Sequence, residues 1–299
     1  MLEQRILDKL ETVNKIIAMP AIVMQIIEQL DNPKFSVAKI AQLIEQDQSI
    51  VARILKIANS PFYGFQKKIS TVELAIIVLG TNSIKEVLYG FSMKRMFNKI
   101  KSVGFDIDKF WEYSLYCAAA SKVIARRLGY KLAGEAFVAG LMHDIGILIL
   151  VQYFYPDFKK INQLLSTTTM TLIEAEEKIM KTNHTEIGAW IAQKWSLPEQ
   201  LTIAILNHHT PYRLLTPAKD NESPEIDQPL TTIVSIAEWF AIQYPFYSWN
   251  IERSRSPLYV ANEIFEDLNE DIIEPESSLN ILRNEVFEEY QKAGVFTEL

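Results

Sequence analysis

Two apolar segments meet at a histidine–aspartate pair in the stretch AGLMHDIG, residues 139–146. The apolar residues before the pair predict a helix over 133–142, and those after it predict another over 147–153. Imidazole and carboxylate groups are the usual nitrogen and oxygen ligands of Zn, Mn or Fe. The stretch therefore predicts two helices with groups able to ligate a metal where they meet.

The chain has only four histidines, and all of them lie within 67 consecutive positions, at His143, His184, His208 and His209. Each stands at or near the end of a predicted helix, where side chains from separate helices can converge. A second interpretation is local: His143 would cap the carbonyls that end helix 133–142, and Asp144 would cap the helix that follows. Spacing alone leaves a shared site and independent capping both open.

Helical periodicity extends over the rest of the chain. In 21–30 the apolar residues recur at helical spacing and form one stripe. Ser36 is typical of an N-cap, Asp47 or Ser49 could cap the helix after it, and Gly80 is expected to stop a helix. The first hundred residues therefore predict a bundle of short helices over 21–30, 37–45, 50–58, 72–79 and 82–97.

The second part of the chain continues in the same way after a weak boundary at 101–108. No stretch of useful length alternates with the period of a strand. We expect an all-α protein of two packed helical lobes, 1–104 and 105–299, with a long exposed loop at 210–230. The predicted helices of the second lobe are 110–128, 133–142, 147–153, 156–166, 171–182, 186–195, 199–208, 230–244, 259–268 and a helix over the last twenty residues.

Composition excludes several classes of protein. The single cysteine, Cys117, rules out an intramolecular disulfide, and its apolar surroundings predict a buried thiol. The N-terminus lacks the apolar region of a signal peptide, and no apolar run reaches the ~18 residues that a membrane span needs. We expect a soluble cytoplasmic protein that does not enter a membrane.

The net charge of −7 opposes general binding of nucleic acid, because neutralising phosphates requires a positive surface. One basic group, Lys94, Arg95, Lys99 and Lys101, departs from this pattern. We interpret it as a solvated helix face rather than a patch that binds phosphate.

Three motifs of the second lobe resemble the HD phosphohydrolase superfamily. The run 139–146 resembles the His-Asp motif that names the superfamily, and His184 with Gly188 resembles its H-x-x-x-G element. The pair His208-His209 resembles the paired histidines of the branch that contains the HD-GYP cyclic-dinucleotide phosphodiesterases. The resemblance implies an HD-like helical bundle in the second lobe.

The first lobe narrows the resemblance to one group. An ordered series of motifs is similar to the HDOD domain, the HD-related output domain of bacterial signalling proteins, and it covers roughly residues 10–215. The series consists of Asp47, ANSPFYG at 58–64, Ala75-Ile76, Leu79-Gly80, Trp195, Leu197-Pro198-Glu199 and HHTP at 208–211.

The resemblance implies a candidate site for a divalent metal such as Fe, Mn, Ni or Zn. Residues of this chain that match the motifs would supply its ligands. They are His143, Asp144, His184, His208 and His209, and the resemblance implies no further cofactor.

The chain departs from the catalytic pattern of the superfamily at two positions. Metal-dependent HD enzymes have an earlier histidine ligand, and Tyr113 stands at the matching position of helix 110–128. A phenol with an unperturbed pKa near ~10 is a poor ligand for a divalent ion at neutral pH. Ile147 stands where the HD-GYP branch has a lysine suited to a phosphate oxygen.

These departures predict a non-catalytic output or scaffold domain that binds a protein partner or a nucleotide, with no catalytic residue assigned. The alternative is a metal-dependent phosphohydrolase, acting on cyclic dinucleotides or nucleotides, in which Tyr113 or Glu238 completes the metal sphere. Glu238 is the residue that could match the late aspartate ligand of HD enzymes.

Overall fold

A computed structural model describes residues 4–63, 65, 67–97, 100, 104–210, 228–242 and 276–294. Within these residues every regular element is a helix, so the predicted all-α class is confirmed. The first part of the chain contains α1 (Gln4–Ile16), α2 (Ala21–Asp31), α3 (Val37–Ile44), α4 (Gln48–Ala58), a 3-10 turn (Pro61–Tyr63) and α5 (Val72–Phe97).

Side-chain caps set the starts of these helices. The Ser36 hydroxyl accepts a hydrogen bond from the N–H of Lys39 and begins α3. The Asp47 carboxylate accepts from the N–H groups of Ser49 and Ile50 and begins α4, so Asp47 rather than Ser49 is the cap. The hydrogen bond from the Ser49 hydroxyl lowers the pKa of Asp47 below its usual value.

Gly80 interrupts the helix, as expected. The element α5 contains the two predicted helices, 72–79 and 82–97, and they are separated by a kink at Gly80, where φ is 78° and ψ is 160° and the backbone is not helical. Residues with a side chain rarely adopt this φ, which explains the glycine.

The second part of the chain is built around α6 (Ile107–Arg127), a helix buried along most of its length. The remaining helices are α7 (Ala133–Met142), α8 (Ile145–Tyr153), α9 (Tyr155–Thr167), α10 (Leu172–Met180), α11 (His184–Lys194), α12 (Glu199–Asn207), α13 (Gln228–Ile242) and α14 (Glu276–Gly294). Helices α7, α13 and α14 all pack against α6. Cys117 lies in α6 and is fully buried, as its sequence context predicts.

Helix α1 contacts the second part of the chain rather than only its neighbours. Arg5 lies 3.4 Å from the carboxylate of Asp157, and the ammonium of Lys9 stacks on the ring of Phe154. The Trp195 indole N–H donates to the carbonyl of Ile17 over 3.1 Å. The division of the chain at residue 104 stays a prediction.

Two apolar stretches have the length and composition of a membrane-spanning helix, Val72–Phe97 and Ala133–Tyr153. The second is 94% buried inside the fold and is interrupted by the turn at His143, while half of the apolar window in the first is buried. By length and composition, two described helices could therefore cross a membrane, contrary to the expectation that no apolar segment is long enough. A core helix of a soluble protein passes the same test, and the cytoplasmic location stays a prediction.

Some sequence-based predictions fall outside the described residues. The helix at 259–268, most of the loop at 210–230, and Lys99 and Lys101 of the basic group lie there. Of the other two members of that group, Lys94 and Arg95 occupy the last turn of α5, and Arg95 lies 3.6 Å from the carboxylate of Asp47.

Candidate metal centre

The fold brings the predicted ligand residues to one place. His143 and Asp144 form the turn between α7 and α8, and His184 is the first residue of α11. His208 and His209 follow the last residue of α12 directly. Side chains from three separate helix junctions thus meet in one cluster.

Asp144 lies at the middle of this cluster. Its carboxylate is 3.3 Å from Nε2 of His143, 3.3 Å from Nε2 of His184 and 3.5 Å from Nε2 of His208. Nε2 of His209 lies 3.0 Å from Nε2 of His184. The imidazoles therefore surround one carboxylate through the same ring nitrogen.

The opposite ring nitrogen of each of the three central imidazoles is engaged elsewhere. Nδ1 of His143 is 2.7 Å from the carbonyl of Gly140, and Nδ1 of His208 is 2.8 Å from that of Ile205. A carbonyl can only accept, so Nδ1 carries the proton in both rings. For His143 and His208, capping and convergence, which spacing left open as alternatives, occur together: Nδ1 caps the helix end, and Nε2 faces the cluster. The expected cap by Asp144 is absent, because its side chain makes no capping hydrogen bond to α8.

Glu176, which the sequence analysis did not identify, fixes the orientation of the His184 ring in the same way. One oxygen of Glu176 accepts from the His184 backbone N–H over 2.9 Å and lies 2.7 Å from its Nδ1. Carboxylates of this kind orient histidines at metal sites and fix their tautomer. A signal was available, because Glu176 falls on the apolar stripe of α10 with Leu172, Ala175 and Met180.

The cluster is strongly coupled electrostatically. Burial alone would lower the pKa of His184, but the charge of Glu176 and hydrogen bonds to Glu176 and Asp144 raise it to about 10. Burial would raise the pKa of Asp144, yet the positive charge of His143 and the close contacts with the His143, His184 and His208 rings hold it well below its usual value. Burial dominates at His208 and lowers its pKa. Without a metal, His184 is thus a cation between two carboxylates.

Two overlapping groups of donor atoms could hold a metal ion, each with its atoms within 4.8 Å of one another. One group contains Asp144, His184, His208 and His209, and the other contains His143, Asp144, His208 and Glu238. Nitrogen and carboxylate donors suit Fe, Mn, Ni or Zn. Nε2 of His143 and Nε2 of His208 are buried without a hydrogen-bond partner in the described part of the chain, so the residues fit a metal.

Glu238 reaches the cluster from α13, about thirty residues beyond His209 in the sequence. Its carboxylate lies 3.5 Å from Nδ1 of His209 and is buried. The carboxylate considered from the sequence alone as a late ligand therefore lies beside His209, and its role as a ligand stays a prediction.

Both departures from the catalytic pattern lie beside the cluster. The ring of Tyr113 is buried with its centroid 5.7 Å from that of His143. Ile147 is fully buried, and its backbone N–H donates to the carbonyl of Asp144 over 2.9 Å, one turn into α8. A phenol and an aliphatic chain thus occupy positions next to the His–Asp turn.

Two glycines allow the helices to approach closely enough to form the cluster. A Cβ atom at Gly146 would lie 1.9 Å from the carbonyl oxygen of His184, so α8 can begin against α11 only without a side chain. A Cβ at Gly140 would lie 2.4 Å from the hydroxyl of Ser121 and 2.8 Å from the carbonyl of Cys117. The glycines on either side of the His–Asp pair are therefore required by packing.

The cluster is closed to solvent on most sides. The side chains of His143, Asp144, His184 and His208 are at most 1% exposed, whereas that of His209 is 18% exposed. His209 is therefore the most exposed of the predicted ligand residues.

The helical bundle and its His–Asp cluster define an HD-type domain. The HDOD domain family model matches residues 16–211, and the chain belongs to this family. Helices α13 and α14, including Glu238, lie beyond the matched region.

Solved structures share the fold over nearly the whole chain. An HDOD domain protein of unknown function from Geobacter sulfurreducens is 25% identical, with a TM-score of 0.68, over 95% of this chain and 90% of that chain. A protein from Shewanella amazonensis, provisionally named a phosphohydrolase, is 20% identical, with a TM-score of 0.70, over 95% of this chain and 97% of that chain. At this identity the second likeness shows the fold alone.

Curated relatives are longer than this chain. An uncharacterized protein of Treponema pallidum is 23% identical over 229 residues, which are 76% of this chain and 42% of the relative. The uncharacterized protein YuxH of Bacillus subtilis is 27% identical over 125 residues, which are 42% of this chain and 30% of YuxH. The chain therefore corresponds to less than half of the length of either relative.

Proposed function

We propose that this chain is a non-catalytic output domain that relays a signal by binding a protein partner, with a nucleotide as a further possible ligand. The observation that carries the proposal is the burial of the His–Asp cluster, in which four of the five predicted ligand side chains are at most 1% exposed. Hydrolysis requires the phosphorus of the substrate to reach a water or hydroxide activated at the site.

The residues beside the cluster support the same conclusion. Tyr113 stands where the superfamily has a histidine ligand, and a neutral phenol does not replace an imidazole at neutral pH. Ile147 provides neither charge nor hydrogen bond to a phosphate oxygen, so stabilisation of the transition state is lost as well. A related fold from Marinobacter aquaeolei is provisionally named a signal transduction protein, at 21% identity.

A divalent metal, when bound, would join the helix ends through bonds to their side chains. His143, His184 and His208 would hold it through Nε2, Asp144 through its carboxylate, and Glu238 or His209 at the edge. Because these residues belong to four different helix junctions or helices, such a site would stiffen the bundle against which a partner docks.

The test is a turnover assay on the metal-loaded chain. Protein expressed with added Mn, Fe, Ni or Zn is assayed against cyclic dinucleotides and nucleoside phosphates, with an active HD phosphohydrolase as positive control. We expect no turnover above that of the Asp144→Ala variant. Robust turnover that Asp144→Ala abolishes, in a variant that remains folded, would overturn the proposal.

The second candidate is a metal-dependent phosphohydrolase with altered ligation. It is favoured by the two buried imidazole nitrogens without a hydrogen-bond partner and by Glu238, which the fold adds to the donor set. Elemental analysis after metal-supplemented expression tests it directly. A metal content near zero would exclude this candidate but leave the relay proposal intact.

A further inference from the structure

Helix α14 lies on α6 through a set of ion pairs in which all the carboxylates belong to α14 and all the cations to α6. The guanidinium of Arg127 donates two hydrogen bonds to the carboxylate of Glu285, both over 2.9 Å. One turn further along α14, the carboxylate of Glu289 lies 3.0 Å from the ammonium of Lys122 and 3.0 Å from the guanidinium of Arg126. Two carboxylates on one face of α14 thus pair with three cations in the last two turns of α6.

Apolar side chains of α14 accompany these ion pairs. Leu282, Val286 and Ala293 are at most 3% exposed, and the ring of Tyr290 lies against that of Tyr116 in α6, with the centroids 5.6 Å apart. Together with the two carboxylates, these residues recur at the three- and four-residue spacing of one helix face. The features by which α6 recognises α14 therefore reduce to a short pattern, two carboxylates four residues apart on an apolar stripe.

The cation that is buried in this surface has a second partner inside the bundle. The ammonium of Lys122 lies 2.7 Å from the carboxylate of Glu86 in α5 and 5.4 Å from the ring centre of Phe137. The other two cations, Arg126 and Arg127, are 54% and 31% exposed, so water can solvate them. Because breaking a buried ion pair is costly only where it leaves a charge without a partner, α14 can leave α6 without that cost at Lys122.

Helix α14 also leaves one buried acceptor of this surface without a donor. Glu86 is 1% exposed, and its Oε1 makes no hydrogen bond within the described residues although α14 is docked beside it. Burial raises the pKa of this carboxyl group, against the charge and hydrogen bond of Lys122. Buried carboxylate oxygens without a donor are rare in folded proteins. A bound helix with a donor beside its second carboxylate would therefore satisfy an atom that α14 does not.

We propose that the face of α6 formed by Tyr116, Lys122, Arg126 and Arg127 is a docking surface for an acidic amphipathic helix of a partner protein, and that α14 covers it when the partner is absent. Charge complementarity selects such a helix, because these cations gather on one face of a chain whose net charge is −7. The inference rests on the proposed relay function, and it identifies the relay event as exchange of α14 for the helix of the partner.

The test releases α14 within the chain and supplies the helix from outside. A fluorescein-labelled peptide of Glu276–Gly294 stands for the partner helix, and its anisotropy is measured during titration with the full chain carrying Glu289→Lys. This substitution sets a cation against Lys122 and Arg126 and leaves α6 unchanged. We expect the peptide to bind this variant at least about tenfold more tightly than the native chain, in which α14 occupies the surface for most of the time.

Matched variants assign the binding to the ion pairs. Glu288→Lys makes the same change at the adjacent, exposed position of α14, and this chain should bind the peptide as weakly as the native chain does. Adding Arg127→Glu to the released chain should weaken binding of the native peptide about tenfold, and a peptide carrying Glu285→Lys should restore it. If circular dichroism shows that Glu289→Lys is misfolded, Glu285→Lys at the half-exposed edge of the contact takes its place.

The results that would overturn the proposal are distinct. They are no binding of the peptide to the released chain, equal binding to the released and native chains, or failure of the charge exchange at Arg127 to restore binding. Sedimentation velocity of the released chain without peptide is expected to show a monomer, and a dimer would assign the surface to a second copy instead of a partner. None of these measurements involves turnover, so a chain that bound the peptide but hydrolysed phosphoesters would overturn the non-catalytic proposal alone.

Discussion

The contact between Glu176 and His184 leads to a quantitative prediction. A single buried carboxylate oxygen accepts from both the backbone N–H and Nδ1 of His184, over 2.9 and 2.7 Å. Glu176→Ala leaves two buried donors without an acceptor. Each orphaned group costs about 1–3 kcal/mol, so we expect the free energy of unfolding to fall by about 3–5 kcal/mol.

The assay is urea unfolding of the metal-free chain at pH 7, with two comparison variants. Glu28→Ala makes the same replacement at an exposed position of α2 and is expected to change the free energy of unfolding by less than about 0.5 kcal/mol. Glu176→Gln keeps an acceptor oxygen but removes the charge, so its loss should be intermediate. If Glu176→Ala were no more destabilising than Glu28→Ala, the geometric reasoning about His184 would be refuted.

Three further predictions concern the cluster, its packing and the C-terminal helix. Asp144→Ala removes the shared carboxylate, so the free energy of unfolding in urea should fall by about 3–5 kcal/mol. Any metal content measured by elemental analysis should be lost as well. Gly146→Ala forces a Cβ against the His184 carbonyl and should cost about 3 kcal/mol or more, whereas Gly294→Ala, with nothing within 4 Å, should be nearly neutral by thermal unfolding. Burial would raise the pKa of Glu289, but the charges of Lys122 and Arg126 outweigh burial and lower it. The ionised Glu289 therefore stabilises the docking of α14 above the ordinary glutamate pKa, and this stabilisation is lost as the pH falls below that value. The protection of the α14 amides, measured relative to their intrinsic exchange rates at each pH, should therefore fall on acidification in the native chain and should be lower at neutral pH in Glu289→Gln. Unchanged protection in both would contradict this assignment.

Local sequence signals predicted individual helices well. The caps at Ser36 and Asp47 depend on a hydroxyl or carboxylate reaching an N–H two or three residues away, which is a local geometry. The break at Gly80 was predicted in the same way, because the φ of 78° at this position is a local property that glycine adopts readily.

The candidate site was only partly accessible to the same reasoning. The positions of His143, His184 and His208 at helix ends were readable from the pattern, but the direction of each ring was not. Glu176 escaped notice because a glutamate in an acidic helix ordinarily faces solvent. Its place on the apolar stripe of α10 was a signal that it is turned inward, and the packing shows that it is buried.

The sequence by itself determined the helical class, the helix ends that carry the imidazoles, and the two substitutions, Tyr113 and Ile147, that depart from the catalytic pattern. These properties follow from periodicity, capping and residue identity, which act over a few neighbouring positions. Only the tertiary structure decided that Asp144 stands among three Nε2 atoms and that Glu238 joins them from α13. Contacts between residues tens of positions apart depend on how whole helices pack, and helix packing is set by the entire core rather than by any one segment.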